Sequence, residues 1–302
     1  MKLLITGAAR LQADQLDDLR AAGHQIWFLQ NEQDPMPLPC DAVEGVICNG
    51  LFLHHPIEAF TSLKYIQLTS AGFDRVPMDH VRRKGIRIHN ARGVYSIPMA
   101  EFAVGGVLQL YKQSRFFAAN QAACRWEKHR GLLELAGKTV CIVGCGNVGA
   151  ECAKRFAAFD CRVVGVNIRP KSGPCFEKIL PLEQLDDILP QADIVVLAVP
   201  LAPETEHLMN GTRFALMKPG AVLVNIARGA VVDIDSLIAA LRTHLGGAVL
   251  DVFEEEPVGE NSPLWQMENV IITPHNSFVG DGNSRRLWNV IRENLAKAEV
   301  SE

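Results

Sequence analysis

The sequence predicts an α/β fold made of two doubly wound parallel-sheet domains. Short apolar runs alternate with helical segments from Lys2 to about Asn90, and the alternation resumes after Lys138. These runs lack the polar alternation of a half-exposed strand, as expected for strands buried on both faces of a parallel sheet. A glycine-rich turn occurs in the second series but not in the first. We therefore expect each series to form its own domain.

The composition is that of a globular protein with a sizeable core. The 302 residues are 48% hydrophobic and 21% charged, and the net charge of −4 gives no electrostatic footprint for nucleic acid. No apolar run approaches the length of a membrane span, and the N-terminal run is too short for a signal peptide. The eight cysteines include no C-x-x-C pair, so we expect no metal site and a reducing, cytoplasmic location.

The first domain is predicted to contain five strands and two helices. The strands fall at residues 3–5, 25–29, 45–48, 65–68 and 86–89, and the helices at residues 13–22 and 78–84. Gly23 and Gly85 are the expected helix stops.

A small, glycine-containing loop, Thr69–Asp74, follows the fourth strand. Loops at the carboxyl ends of parallel strands are where open α/β sheets bind ligands, and the backbone N–H groups here suit a carboxylate. We therefore expect Ser70, Ala71 and Gly72 to bind substrate. A plain turn is the alternative.

A long helical segment begins at Ser96 and extends toward Asn120. Serine is a good N-cap, and Pro98 is tolerated in a first helical turn. The length suits a helix that passes from one domain to the other. Gly105 and Gly106 in its middle predict either close packing or a bend.

The stretch Lys138–Lys171 reads as strand, glycine turn, helix and strand. The apolar run Thr139–Val143 is followed by G-x-G-x-x-G, with a helix expected from Ala150 to Phe159. The helix N-terminus favours negative charge, so we expect a Rossmann unit that binds a dinucleotide pyrophosphate through Gly144, Gly146, Asn147, Val148 and Gly149. Cys145 lies inside the turn, where it is either a passive residue or a target for oxidation.

The next strand ends without the acid that an NAD-selective site usually places at the adenosine ribose. The chain has Asn167 at that point, followed closely by Arg169 and Lys171. A carboxylate would repel a 2′-phosphate, whereas these basic side chains would pair with it. The sequence therefore favours NADP(H), and NAD(H) stays open because both charges are also consistent with an ordinary solvated loop.

Four further buried strands are predicted in the second domain, at residues 192–200, 221–226, 247–251 and 269–273. Their carboxyl ends share one rim of the sheet, because the connections between parallel strands are right-handed. The residues expected to face the cofactor at these ends are Val199, Pro200, Ile226 and Ala227.

Three ionisable residues follow strands that should be neighbours: Arg228, Glu256 and His275. Arginine can span the carbonyl and carboxylate oxygens of a keto acid. Histidine suits proton transfer near neutrality, and a carboxylate beside it would orient the ring and favour its protonated form. Together they predict an acid–base site, although each alone is also typical of a surface or loop position.

The sequence resembles the D-isomer-specific 2-hydroxyacid dehydrogenase family over nearly its whole length. The resemblance depends on Gly144–Gly149, Asn225–Gly229, Asp251–Pro257 and Thr273–His275, with Ser70–Asp74 and Ala100–Glu101 in the expected order. It implies that Arg228 binds and polarises the substrate, that His275 is the acid–base with Glu256 as its partner, and that Asp251 lies near the nicotinamide.

The resemblance also implies the domain organisation. A discontinuous, flavodoxin-like substrate domain would comprise residues 1–96 and 273–302, closed by a helix from Asp281 to Ala298. The Rossmann cofactor domain would comprise residues 97–272, with the active-site cleft between the two domains. The family is usually dimeric, so a homodimer is expected.

The expected reaction is hydride transfer from NADPH to C2 of a small 2-keto acid, giving a D-2-hydroxy acid. Basic residues after the second strand of the cofactor domain accompany NADPH-dependent glyoxylate and hydroxypyruvate reductases in this family. Two alternatives stay open: a nucleotide-sensing, corepressor-like interaction protein, and a phosphite-type dehydrogenase on the same scaffold. Asn276-Ser277-Phe278 stands where the family commonly has small or apolar residues, which predicts a differently shaped pocket.

Overall fold

The computed structural model describes residues 1–299, which group into two compact units. The first unit comprises Met1–Tyr95 and the segment from Gly280 onward, and the second comprises Ser96–Val279. The sequence placed the second boundary at residue 272, whereas residues up to Val279 group with the second unit. The reason is local, because the buried Asp251 carboxylate holds the backbone of this segment.

Strands and α-helices are interspersed along the chain, and short 3-10 turns form several of the connections. The strands are β1 (Lys2–Thr6), β2 (Gln25–Leu29), β3 (Gly45–Cys48), β4 (Tyr65–Leu68), β5 (Arg87–His89), β6 (Thr139–Val143), β7 (Arg162–Asn167), β8 (Lys178–Pro181), β9 (Ile194–Leu197), β10 (Val222–Asn225), β11 (Gly247–Leu250) and β12 (Val270–Ile272). The α-helices are α1 (Ala13–Ala21), α2 (Met78–Lys84), α3 (Ser96–Tyr111), α4 (Ser114–Ala122), α5 (Asn147–Ala157), α6 (Leu185–Ile188), α7 (Gly211–Leu216), α8 (Ile234–Leu241) and α9 (Asn283–Glu299). Within the described residues, no helix combines the length and apolarity needed to cross a membrane.

The first unit is a five-stranded parallel sheet in the order β2-β1-β3-β4-β5. This is the flavodoxin-like order, with its switch point between β1 and β3. One face of the sheet packs against α9, whose Trp288 and Ile291 are buried with Leu3 and Ile5. The closing helix predicted from Asp281 is therefore present, beginning at Asn283.

The second unit is a seven-stranded parallel sheet in the order β12-β11-β10-β9-β6-β7-β8. The six strands β6 to β11 follow the Rossmann order, with β6 as its first strand in the chain. The switch point lies between β6 and β9. Buried apolar clusters cover both faces, as expected from strands without polar alternation. The predicted fold class is confirmed, and β8 is an edge strand that the sequence did not predict.

The single helix predicted from Ser96 toward Asn120 is wrong, because the chain breaks between α3 and α4. Gln113 adopts a left-handed conformation with φ of 53°. The paired glycines do not cause the break. A Cβ on Gly106 would lie only 2.6 Å from Val249 Cγ1, so this glycine permits α3 to pack closely on β11.

Candidate active site

The glycine turn between β6 and α5 is built by two glycines that have no room for a side chain. Gly144 has φ of 99°, and a Cβ there would lie 2.5 Å from the carbonyl oxygen of Ala198. A Cβ on Gly149 would lie 1.9 Å from the carbonyl oxygen of Gly144. These contacts seat the first turn of α5 beside β6 and the end of β9.

The second glycine of the motif, Gly146, has a different role, because no other described residue beyond its chain neighbours comes within 4 Å of the position its Cβ would take. This open surface lies at the N-cap of α5, where helix N–H groups and the macrodipole favour an anion. The helix begins at Asn147, not at the predicted Ala150, so Asn147 and Val148 belong to its first turn. The turn thus fits a pyrophosphate approaching the backbone.

Cys145 packs away from that open surface. Its Sγ lies 3.6 Å from the carbonyl oxygen of Val166, over Gly165, where a Cβ would come within 2.5 Å of the sulfur. Burial raises the pKa of the Cys145 thiol to about 12. A thiol that stays protonated is a poor nucleophile, so the geometry favours a passive turn residue over a target for oxidation.

The end of β7 carries the residues predicted to meet the adenosine ribose. The Asn167 side chain donates a hydrogen bond to the carbonyl oxygen of Arg169 at 2.9 Å, which closes a tight turn. Arg169 and Lys171 are both exposed. Neither forms an ion pair with another residue of the described chain. The guanidinium group of Arg169 and the ammonium group of Lys171 are therefore available to bind an anion at the carboxyl end of β7.

The other residues predicted to face the cofactor lie at the ends of β9 and β10. Pro200 is exposed, whereas the side chain of Val199 is buried in the core. Ile226 and Ala227 are also buried, with 1% and 5% exposure. These three buried residues can contact a ligand only through the backbone or through the small exposed part of a side chain.

His275 and Glu256 form the polar pair that the sequence predicted. His275 Nδ1 lies 3.0 Å from Glu256 Oε2, and Glu256 Oε1 accepts a hydrogen bond of 3.0 Å from the Phe253 amide. Burial acts to raise the pKa of the Glu256 carboxyl. The Phe253 amide, His275 and the charge of Arg228 outweigh it, so the pKa lies below its usual range. The glutamate is therefore ionised at neutral pH and fixes Nδ1, leaving Nε2 to a substrate.

The backbone of the His275 loop is held by Asp251, whose carboxylate is completely buried. This carboxylate accepts hydrogen bonds from the Thr273 hydroxyl at 2.6 Å and from the amides of Asn276 at 2.8 Å and Ser277 at 2.9 Å. The His275 amide donates to the Asp251 carbonyl oxygen at 2.8 Å. These contacts hold His275 at φ of 50°. Asp251 was predicted only to lie near the nicotinamide, and its loop-holding contacts were not foreseen.

The Arg228 loop is held by a second buried residue that sequence reasoning missed. Asn225, which is 1% exposed, donates from Nδ2 to the Arg228 carbonyl oxygen at 3.1 Å and accepts from the Ala227 amide at 3.1 Å. A Cβ on Gly229 would lie 1.8 Å from the carbonyl carbon of Phe253. The loop with Arg228 therefore lies directly on the loop with Glu256.

Phe278 packs against the imidazole of His275. The two ring centroids are 6.2 Å apart, and the planes meet edge to face at 82°. Phe278 is 41% exposed. The residue that departs from the family pattern thus contacts the predicted acid–base directly.

The predicted substrate loop of the first unit follows β4. The Ser70 hydroxyl donates to the Gly72 carbonyl oxygen at 3.0 Å. Within the described chain, the N–H groups of Ser70, Ala71 and Gly72 donate to no protein acceptor. Three free backbone donors in one short loop form a suitable anion site.

Comparison with known proteins identifies matches over the same regions. The model of the D-isomer specific 2-hydroxyacid dehydrogenase NAD-binding domain matches residues 104–277. A glyoxylate reductase of Thermofilum pendens is 36% identical over 230 residues, covering 72% of this chain and 67% of the relative. An (S)-sulfolactate dehydrogenase of Chromohalobacter salexigens is 33% identical, covering 79% of this chain and 78% of the relative.

A solved structure shares the whole fold. It is a D-isomer specific 2-hydroxyacid dehydrogenase from Xanthobacter autotrophicus Py2 in complex with NADPH and MES. The TM-score is 0.80 at 31% sequence identity, and the match covers 100% of this chain and 95% of the other.

Proposed function

Because the chain belongs to the D-isomer-specific 2-hydroxyacid dehydrogenase family, we propose that it is an NADPH-dependent reductase of small 2-keto acids such as glyoxylate and hydroxypyruvate. The coarser activity follows from the family itself: the chain is an enzyme that carries out NAD(P)-linked oxidation–reduction of 2-hydroxy acids. The narrower proposal specifies the substrate, the direction and the preferred cofactor.

The observation that carries the proposal is the His275–Glu256 pair beside Arg228. When bound, the nicotinamide supplies the hydride that reaches C2 of the keto acid. Arg228 binds the carboxylate and stabilises the charge that develops on the carbonyl oxygen. His275 Nε2 donates the proton that this oxygen needs, while Glu256 holds Nδ1 at 3.0 Å. In the reverse direction the neutral imidazole accepts the proton.

The preference for NADPH is supported by the free basic side chains after β7. Arg169 has no acidic partner among the described residues, and Asn167 replaces the carboxylate that would repel a 2′-phosphate. We expect Arg169→Ala to raise the KM for NADPH about tenfold and to leave the KM for NADH nearly unchanged. Equal effects of Arg169→Ala on the KM for both cofactors would refute the role of Arg169 in binding the 2′-phosphate. Lys154→Ala on α5 is the matched control, because it removes one positive charge away from this loop.

The proposed substrate is tested by a panel assay on the purified protein. NADPH or NADH is oxidised in the presence of glyoxylate, hydroxypyruvate, pyruvate, a sulfonated 2-keto acid or bulkier 2-keto acids. We expect the highest kcat/KM with the smallest substrates and NADPH, and a D-2-hydroxy acid wherever the product is chiral. Absence of turnover with every 2-keto acid would refute the proposal.

We also infer a homodimer. The support is a set of exposed apolar side chains in the segment after α4, where Trp126 is 98% exposed and Leu132 and Leu133 are 40% and 44% exposed. Large apolar side chains left this exposed on a folded protein favour an interaction site, and a second copy of the chain is the proposed partner. Light scattering should give twice the monomer mass for the wild type and a lower mass for Trp126→Ala. A monomeric wild type would refute the inference.

A further inference from the structure

The loop Thr69–Gly72 is held from one side by the segment that follows β5. Three consecutive carbonyl groups of the loop accept hydrogen bonds from this segment. The pairs are Asn90 Nδ2 to the Ala71 oxygen at 2.5 Å, the Ala91 amide to the Ser70 oxygen at 2.8 Å, and the Tyr95 hydroxyl to the Thr69 oxygen.

The direction of these carbonyls fixes the direction of the amides. A trans peptide is planar, so the N–H of one residue points opposite to the carbonyl of the residue before it. Carbonyls of residues 69, 70 and 71 that face the 90–95 segment therefore turn the N–H groups of Ser70, Ala71 and Gly72 away from it. Those are the three N–H groups that have no protein acceptor within the described chain.

The two side-chain donors are themselves fixed. Asn90 Oδ1 accepts a hydrogen bond of 3.2 Å from the Arg92 amide, which leaves its Nδ2 directed at the loop. Burial raises the pKa of the Tyr95 hydroxyl, so it keeps its proton and donates. Neither residue needs to touch a ligand to determine how the loop presents its amides.

We propose that Asn90 and Tyr95 are positioning residues that, together with the Ala91 amide, direct the three loop amides toward the substrate carboxylate. The proposal rests on the proposed function, because it assigns the loop to the carboxylate of the 2-keto acid. Removing the Asn90 amide or the Tyr95 hydroxyl leaves one peptide of the loop free to rotate. Its N–H group is then less well directed, and the carboxylate is bound more weakly. The hydride and proton transfers depend on other groups and should be affected much less.

The test compares Tyr95→Phe and Asn90→Ala with Tyr65→Phe. The control removes a buried hydroxyl that, among the described residues, bonds only Gln67 Oε1 at 3.3 Å, in the strand that leads into the loop. We expect both test variants to raise the KM for the 2-keto acid about three- to tenfold, the weight of one hydrogen bond. The kcat and the KM for NADPH should stay within about twofold of wild type in all three variants.

Binding of oxamate, measured by calorimetry in the presence of NADPH, gives a readout that does not depend on turnover. Its Kd should rise in parallel with the KM in Tyr95→Phe and Asn90→Ala and stay at the wild-type value in Tyr65→Phe. Wild-type turnover with an unchanged KM and Kd in Tyr95→Phe would overturn this proposal alone. A wild type that neither turns over 2-keto acids nor binds oxamate would overturn it together with the proposed function.

Discussion

Replacing Glu256 by glutamine is the sharpest test of the acid–base assignment. The amide keeps the shape and still accepts the Phe253 hydrogen bond through its oxygen, but the negative charge 3.0 Å from His275 Nδ1 is lost. The amide nitrogen then faces Nδ1 and cannot accept its proton. Both effects disfavour the protonated imidazole. Because reduction needs that protonated form, the falling limb of kcat/KM should move to lower pH.

The size of the shift follows from the exposure of the pair. The side chains of His275 and Glu256 are 44% and 38% exposed, so the attraction is strongly screened by solvent. Two unit charges about 4 Å apart interact by roughly 1 kcal/mol in water. That energy corresponds to a displacement of roughly 0.7 pH unit. The lowered pKa of Glu256 keeps its carboxylate charged throughout the neutral and alkaline range, so titration of Glu256 itself does not contribute to the limb.

The assay records kcat/KM against pH in both directions. In the oxidation direction the rising limb should also move to lower pH, since that reaction needs the neutral ring. Glu255→Gln is the matched control, because it removes the same charge from the adjacent, exposed position and should leave both limbs in place. Coincident limbs for wild type and Glu256→Gln would refute the pair, as would near-normal turnover in His275→Ala, for which we expect a loss of about 10²- to 10⁴-fold.

Two further predictions concern stability, measured as thermal unfolding midpoints. Gly106→Ala should destabilise by about 1–3 kcal/mol because its Cβ would meet Val249, whereas Gly105→Ala, with open space, should stabilise by about 0.5–1 kcal/mol; equal shifts would contradict the packing argument. Burial acts to raise the pKa of Asp193, but the hydrogen bonds from its lysine partner and a backbone amide outweigh it and lower that pKa. The stabilisation by the Asp193 carboxylate is fully present above its ordinary pKa of 3.8 and is lost as the pH falls through its lowered pKa in the folded protein. Asp193→Asn should therefore cost about 1.5–3 kcal/mol of unfolding free energy at pH 7 and little in acid.

Most strands could be predicted closely, because a strand that is buried on both faces is mostly apolar and shows no polar alternation in the sequence. Gly45–Cys48, Tyr65–Leu68 and Thr139–Val143 are mostly apolar and almost entirely buried, and the structure gives them, together with the partly exposed edge strand Gln25–Leu29, the predicted bounds. The edge strand Lys178–Pro181 was missed because it is short, half exposed and ends in proline, which is typical of an edge but not of a buried strand.

The break after α3 could not be predicted from local sequence. Lys112 and Gln113 are both good helix formers, and no glycine or proline marks the end. The helix end is satisfied by a segment some twenty residues later. The Leu133 amide donates to the Tyr111 carbonyl oxygen, and Lys112 Nζ donates to the Leu133 carbonyl oxygen at 2.7 Å. A tertiary contact outweighed local propensity, as it commonly does in folded proteins.

The same limit applies within the site. Sequence reasoning identified Arg228, Glu256 and His275 because their chemistry suits the reaction and each follows a strand. It did not identify the contacts that bring them together, since Gly229 at the Phe253 backbone and Asp251 beneath the His275 loop are distant in sequence from what they hold. A buried carboxylate is costly unless it is fully hydrogen-bonded, and Asp251 is balanced by a hydroxyl and two loop amides. Those amides must stay directed inward, so the loop has little freedom to move His275 away from Glu256. The geometry of the His275–Glu256 pair is thus set by a buried polar group to which the proposed reaction assigns no chemical step.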